Sequence, residues 1–320
     1  MSLPTADTPF ATPLALSGPL RQPRQMLADQ TYDGHKSIHD DATAGDLGLR
    51  AGPIEGPTHF SQFDPLLVRL FGSQWFETGT ISAHYQTMVV EGESVRAFVD
   101  LPEPGAHFVR IRAEKADGTP LLTGTASVGE PGQPHELEQR MARLRPATGL
   151  VINRDLQVGQ RGAVPETIRM GFDQHMGDHY PFTLRDKLAV ITEPCNWYTP
   201  EGGASSPWGR PIIPTEMISV LLGSTIADAQ LSGRKPAVGL FAGQQIRRIA
   251  GPLFVDQDYA LEREIVALSE SARTESVWVR TRVYEADSRK LVAEMILNGA
   301  TMKASYPHYE AEAKALGLAA

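Results

Sequence analysis

The chain has 320 residues, 41% of them hydrophobic and 21% charged, which is ordinary for a globular protein and long enough for two domains or one large one. A formal charge of -8 leaves no basic surplus to meet a phosphate backbone, so no nucleic-acid partner is expected. The single cysteine, Cys195, excludes an intramolecular disulfide and suits a reducing compartment, and no apolar run approaches the ~20 residues of a membrane span.

Residues 1–28 are broken by prolines and lack the cationic start and apolar stretch of a signal peptide, so a loose Pro-rich arm on a cytoplasmic protein is expected there, with no membrane association. The next stretch, Tyr32 to Phe60, gathers three histidines and five carboxylates into 29 residues. His35 and His39 lie four apart, a spacing repeated by His175 and His179 beside Asp173 and Asp178. Neither pair falls in a clear helical pattern and HExxH is absent, so no metal site is expected.

From Gly56 to Gly72 the apolar residues take helical spacing, and a strand pair is expected over Thr87 to Leu101. His107 to Gly129 alternates, turns at Ala116-Asp117-Gly118 and alternates again, which predicts a hairpin. A short amphipathic helix carrying Leu137, Met141 and Leu144 follows, bracketed by Gly and Pro in a linker. The pattern then recurs. Ile213 to Ala229 lies over the first helix with Pro57/Pro214 and Thr58/Thr215 paired, Thr serving as helix cap and Met217, Val220, Leu221 and Ile226 forming one face. Pro252 to Leu268 predicts another strand pair. At an offset of 170, Val277 to Gly299 matches His107 to Gly129 at seven of 23 positions, where composition alone would give roughly one or two. Each half therefore reads as a helix followed by an antiparallel meander, an α+β arrangement in which a curved sheet wraps a central helix.

With these elements in place the chain resembles the double hot-dog proteins related to MaoC-like (R)-specific enoyl-CoA hydratases and dehydratases. Those enzymes carry a pattern like G-D-x-N-P-[LIV]-H-x-[DS], then a small residue, a Gly-hydrophobic pair and Pro-Ile near the central helix. Ile38, His39 and Asp41 match its right-hand end, Ala44, Gly48 and Leu49 the next positions, and Pro53-Ile54-Glu55-Gly56 the approach to the helix. The left-hand end departs, with Gly34 at the place of the catalytic Asp and Lys36 and Ser37 replacing Asn and Pro.

The resemblance implies two fused hot-dog repeats forming a pseudo-dimer, with residues 29–130 and 166–310 as the repeats, 131–165 as the linker and 311–320 as a tail. It also implies hydro-lyase chemistry on an acyl thioester, with coenzyme A as the expected carrier and no cofactor; a homodimer of the whole chain is expected on the same ground. Hydration needs a base for water and an acid for C2, roles a carboxyl and an imidazole can share. His39, Asp33 (one residue before the departure) and His59 are thus the candidate catalytic residues, with Asp40 or Asp41 as alternatives for orienting His39. Tyr32, Asp41, Gly56 and Thr58 are expected to bind substrate near the helix N-terminus, and Trp197 and Tyr198, with Trp208, to shape the acyl pocket from the second repeat. Two other readings stand beside this one: a hot-dog thioesterase using Glu216, and a non-catalytic acyl-binding or assembly subunit. Arg247 and Arg248 either meet carrier phosphates or lie on a solvated strand face.

Overall fold

Alternation of apolar and polar residues builds the strands β1 (Ala15–Ser17), β2 (Thr31–Tyr32), β3 (His35–Lys36), β4 (Gly79–Tyr85), β5 (Val95–Asp100), β6 (Phe108–Lys115), β7 (Pro120–Val128), β8 (Gly239–Arg248), β9 (Tyr259–Glu270), β10 (Thr274–Glu285) and β11 (Leu291–Met302). The helices are α1 (Asp41–Asp46), α2 (Asp64–Phe71), α3 (Gln74–Thr78), α4 (Glu136–Met141), α5 (Leu184–Val190), α6 (Pro200–Gly203), α7 (Thr215–Gly223) and α8 (Tyr309–Ala315). These come from a computed structural model that describes residues 14–32, 35–163 and 167–318.

Nine strands form one antiparallel sheet in the order β1-β5-β6-β7-β4-β8-β11-β10-β9, and β2 and β3 form a separate ribbon. The two repeats meet where β4 pairs with β8, Thr80 opposite Arg247 and His84 opposite Gly243. Each outer strand is covered in the same way. Residues 15–17 pair with β5, and isolated bridges join Arg161 to Glu264 and Ile168 to Tyr259 on β9. Within the arm expected to be loose, Ala15–Ser17 is thus an edge strand and Arg21 bridges Val95.

Both predicted hairpins form, and each carries a bulge at the same place, between Ala113 and Glu114 and between Val283 and Tyr284. On the returning strand the offset is 171 rather than 170: Val109 faces Ala126, whereas Val279 faces Leu297. The second turn holds one extra residue, so the matches Leu121/Leu291 and Gly129/Gly299 are not spatial equivalents.

The first strand of each meander, β4 and β8, lies upstream of the expected pairs. Thr87 to Val90 and Leu253 to Phe254 instead pin the approach to each central helix, Ile54 N donating to Val89 O at 2.7 Å and Ile213 N to Leu253 O at 2.8 Å. The first central helix is not continuous. Pro65 has no N–H to donate to residue 61, so Gly56–His59 and Ser61–Phe63 are 3₁₀ turns and the α-helix starts only at Asp64. In the second, α7 ends at Gly223, so Ile226 lies beyond it, and Thr215 has no capping bond because its hydroxyl serves Asp64 and Arg248.

Phe63, Leu67, Met217 and Leu221 from the central helices share one core with Ile81, Ala83, Val95, Leu122, Ile246 and Met295 from the sheet. On the opposite face the linker helix α4 closes the seam: Leu137 is fully buried, its N–H donates to Ser82 Oγ, and a Cβ at Gly243 would lie 2.7 Å from Leu137 Cδ2. Arg247 lies on a partly solvated strand face, paired with the exposed Glu130, whereas Arg248 is buried over the Trp75 ring.

Candidate active site

The loop before the first central helix packs directly on His39. A Cβ at Gly52 would lie 2.0 Å from the His39 carbonyl oxygen, so only glycine permits the approach, which brings Pro53 O to 2.5 Å from His39 Nδ1. A carbonyl can only accept, so Nδ1 carries the proton and Nε2 is the ring's acceptor. Burial pushes this imidazole down to about 4, against the opposing effect of the Pro53 bond, and it is neutral at pH 7. Asp40 and Asp41 are engaged elsewhere. Asp40 caps α1 by accepting from Thr43 N and Oγ1, and Asp41 accepts from Gly52 N at 2.8 Å. Pro53, rather than Asp40 or Asp41, orients the His39 ring.

Glu55 stands immediately before the Gly56–His59 turn. Its carboxyl is buried and accepts from Tyr180 Oη of the second repeat at 3.2 Å. Burial pushes it up to about 7; the Lys187 charge and the Tyr180 bond oppose that rise and the Glu216 charge adds to it. Such a group is present in both protonation states near neutrality, as a proton-transfer residue requires. His59 is also buried, and burial with the nearby Lys187 charge pushes it down to about 3, so it too is a neutral imidazole.

Glu55, His39 and His59 line a cavity of about 390 Å³ between the repeats, together with Gly56, Tyr32 and Tyr85. Gly56 rests on the Tyr85 ring, where a Cβ would lie 2.5 Å from Cζ. The Tyr85 hydroxyl is buried without a hydrogen-bond partner, and burial, with the Glu55 charge, raises its phenol. The opposite wall comes from the second repeat, including Ile226, Leu231, Phe241, Val277, Val279 and Leu297.

The other expected residues divide. Tyr32 lines the cavity with its ring 4.3 Å from that of His179, and burial raises its phenol. Asp33 lies outside the described residues, as does Gly34. Thr58 sits behind the wall, its Oγ1 accepting from Lys187 Nζ at 3.4 Å, and Asp41 serves the Gly52 backbone. Trp197 and Tyr198 do not line this cavity. Tyr198 donates to Asp64 at the helix junction, and Trp197 packs edge-on against Phe76 and Trp208, because both grow from a short turn pinned to the far side of that junction. Glu216 is likewise away from the cavity wall, buried with its Oε1 2.8 Å from Lys187 Nζ. Among the described residues no cluster of three His, Cys, Asp or Glu side chains could hold a metal ion, and no helix is long and apolar enough to cross a membrane.

Sequence reasoning passed over Glu55, Tyr85, Tyr180 and Lys187. For Glu55 a signal was present, a carboxylate directly ahead of a helical turn inside the Pro-Ile-Glu-Gly match. For the others the contacts span 125 or more residues, or depend on the end of an unpredicted strand.

No family model and no curated protein matches the chain. Among solved structures it is similar to a MaoC domain protein from Chloroflexus aurantiacus J-10-fl, at 13% identity and a TM-score of 0.55, over 92% of this chain and 96% of that one. It is also similar to RV0216 of Mycobacterium tuberculosis, described as having a double hotdog fold, at 11% identity and a TM-score of 0.52, over 92% of this chain and 97% of that one. The fold is thus the double hot-dog fold found in MaoC-like proteins, as the internal repeat and the helix-then-meander order implied.

Proposed function

We propose that this chain adds water to, or removes it from, the acyl group of a thioester, with coenzyme A as the carrier, and that His39 and Glu55 are its acid/base pair. The observation that carries this reading is the convergence, in one cavity between the repeats, of a carboxyl near 7 with imidazoles held neutral. In the hydration direction His39 Nε2 takes a proton from water as its oxygen bonds to C3. The electron pair released to C2 takes the proton of the Glu55 carboxylic acid. Transfer of the imidazolium proton to the Glu55 carboxylate then restores both groups. The Gly56 amide, at the first helical turn, is the proposed donor to the thioester oxygen as negative charge develops there, and His59 is a neutral hydrogen-bonding group beside it. The likeness to a MaoC domain protein described as a dehydratase supports the reading at the level of fold.

Loss of enoyl-thioester absorbance without release of free thiol tests the reaction. Glu55→Gln and His39→Ala are each expected to lower kcat by about 10²-fold, and the double variant to cost little beyond the worse single one, since the two act as a unit. Asp33→Asn, measured beside them, asks whether the residue next to the family's aspartate position acts instead. Ordinary hydratase turnover in both Glu55→Gln and His39→Ala would refute the pair. Binding without turnover by the unaltered protein would favour a non-catalytic acyl-binding subunit.

A further inference from the structure

Asn153 is fully buried, and among the described residues neither its Oδ1 nor its Nδ2 has a hydrogen-bond partner. A buried carboxamide normally finds partners, and leaving both atoms unpaired is costly. This one is also held firmly. The buried Glu275 carboxylate accepts from Asn153 N at 2.9 Å through one oxygen and from Val151 N at 2.8 Å through the other, and Ile152 O accepts from Arg234 N. Room for the amide is made by Gly233, where a Cβ would lie 2.2 Å from Asn153 Oδ1. The fold therefore fixes a polar side chain in place with no partner among the described residues.

Asn153 lines the same cavity as Glu55 and His39. From here we infer that its carboxamide is a ligand-binding group, recognising an amide or a hydroxyl carried by the bound thioester at a distance from the reacting carbon. The assignment rests on the reading of the cavity given above. Sheet register supplies the distance. His84, next to the cavity residue Tyr85, faces Gly243, whereas Glu275, which holds the Asn153 backbone, faces Thr301 and through it Gly239. Gly239 and Gly243 are four residues apart on one strand, so the two ends of the cavity are offset by about 13 Å along the strand and, with β4 and β10 three strand spacings apart, by about 14 Å across the sheet. Between them the second repeat contributes Val277, Val279, Leu297 and Leu231, all apolar. A ligand filling this space is thus apolar in its middle and polar at the Asn153 end. Because the carboxamide lacks both a donor and an acceptor, its complement is a group that both donates and accepts. Two parts of a thioester can supply one: a hydroxyl on the acyl chain, or an amide of the carrier arm.

The test compares the full-length protein with Asn153→Leu, and with the smaller Asn153→Ala in case leucine overpacks the site. Three enoyl thioesters serve as probes: a ten-carbon enoyl-coenzyme A, the same compound with a terminal hydroxyl, and the ten-carbon enoyl group on ethanethiol, whose thiol has no amide. If the acyl chain supplies the group, the unaltered protein prefers the hydroxylated probe by about tenfold or more in kcat/KM, and the variants lose that preference. If the carrier supplies it, the preference for coenzyme A over ethanethiol falls about tenfold in the variants, and the hydroxyl has no effect. Melting without ligand adds an independent readout. Removing an unpaired buried amide should raise the Tm of Asn153→Leu by about 2 °C, whereas a structural amide would lower it. Normal turnover by the unaltered protein with both preferences unchanged in the variants overturns this assignment alone. Absence of turnover and of binding with every probe overturns the thioester reading and this assignment with it.

Discussion

Asp64 Oδ1 lies 2.7 Å from Thr215 Oγ1, so the first residue of the helix in one repeat is bonded to the first residue of the helix in the other. The same carboxyl accepts from Trp75 Nε1 and Tyr198 Oη, and Arg248 Nη2 donates to Thr215 Oγ1 at 2.6 Å. Burial pushes Asp64 up to about 6, with Arg248 and the three hydrogen bonds opposing the rise. Asp64→Ala would leave a threonine hydroxyl, a tyrosine hydroxyl and an indole N–H buried without their acceptor, and the buried Arg248 without the charge beside it. A loss of about 3–5 kcal/mol is expected, seen as a lower urea midpoint.

Glu55 gives the protein a pH signature. Its carboxyl rises from 4.5 to about 7 on folding, so the folded state holds a proton that the unfolded state releases in that interval. The sign is destabilising: no cost below about pH 4.5, growing as pH rises, and fully present above about 7, where it amounts to about 3 kcal/mol. Glu55→Gln should therefore match the unaltered protein most closely near pH 4 and gain on it by pH 8, as read from urea midpoints across that range. If Glu55 is the proton donor, the unaltered protein should also lose kcat/KM above about pH 7, and that limb should be absent from the residual activity of the variant.

Glu216 distinguishes hydration from thioester hydrolysis. Since its carboxylate pairs with Lys187 behind the cavity wall, Glu216→Gln should leave a buried ammonium without its counter-charge and lower stability by about 3 kcal/mol or more. Turnover per folded molecule should persist. Measured release of free thiol that disappears in this variant, at unchanged folded fraction, would support the thioesterase reading instead.

Gly52→Ala tests the orientation of His39 without touching its ring. The added methyl meets the His39 carbonyl, so the loop must retreat and the Pro53 to Nδ1 bond must lengthen. We expect a stability loss of about 1–3 kcal/mol and a fall in kcat larger than any change in KM, measured by steady-state assay beside thermal melts.

Much of this was legible in the chain. The hairpins at 107–129 and 277–299 advertise themselves because β6 and the Val279–Tyr284 part of β10 alternate buried with part-exposed residues around a marked turn. The seam strands did not. In β4, Thr80 and Ser82 are buried beneath α4 while Ile81 and Ala83 face the core, so both faces are covered, and the alternation runs over few, mostly small residues with no charged side chain to mark a solvent face. His39 and His59 could be placed at the cavity because a local motif and a helix start put them there. Glu55 could be read as a residue, but its raised pKa depends on burial and on Tyr180, Lys187 and Glu216, which arrive from the second repeat and carry no mark in the local sequence. The one-residue slip on the returning strand of the second hairpin was hidden for a related reason: identical letters coincide in alignment while the extra turn residue moves them apart in space.

The pairing of β4 with β8 also has a consequence for stoichiometry. In a symmetric dimer every substitution occurs twice, so both pockets must keep the same chemistry. Here the seam joins unlike halves of one chain, and the turn that corresponds to Glu55-Gly56-Pro57-Thr58 is Ile212-Ile213-Pro214-Thr215, whose next residue, Glu216, is sealed against Lys187. One half is released to become wall and buttress while the other keeps the titratable groups. Each chain should accordingly saturate with a single equivalent of ligand in a calorimetric titration, at any protein concentration, because the two halves cannot come apart by dilution.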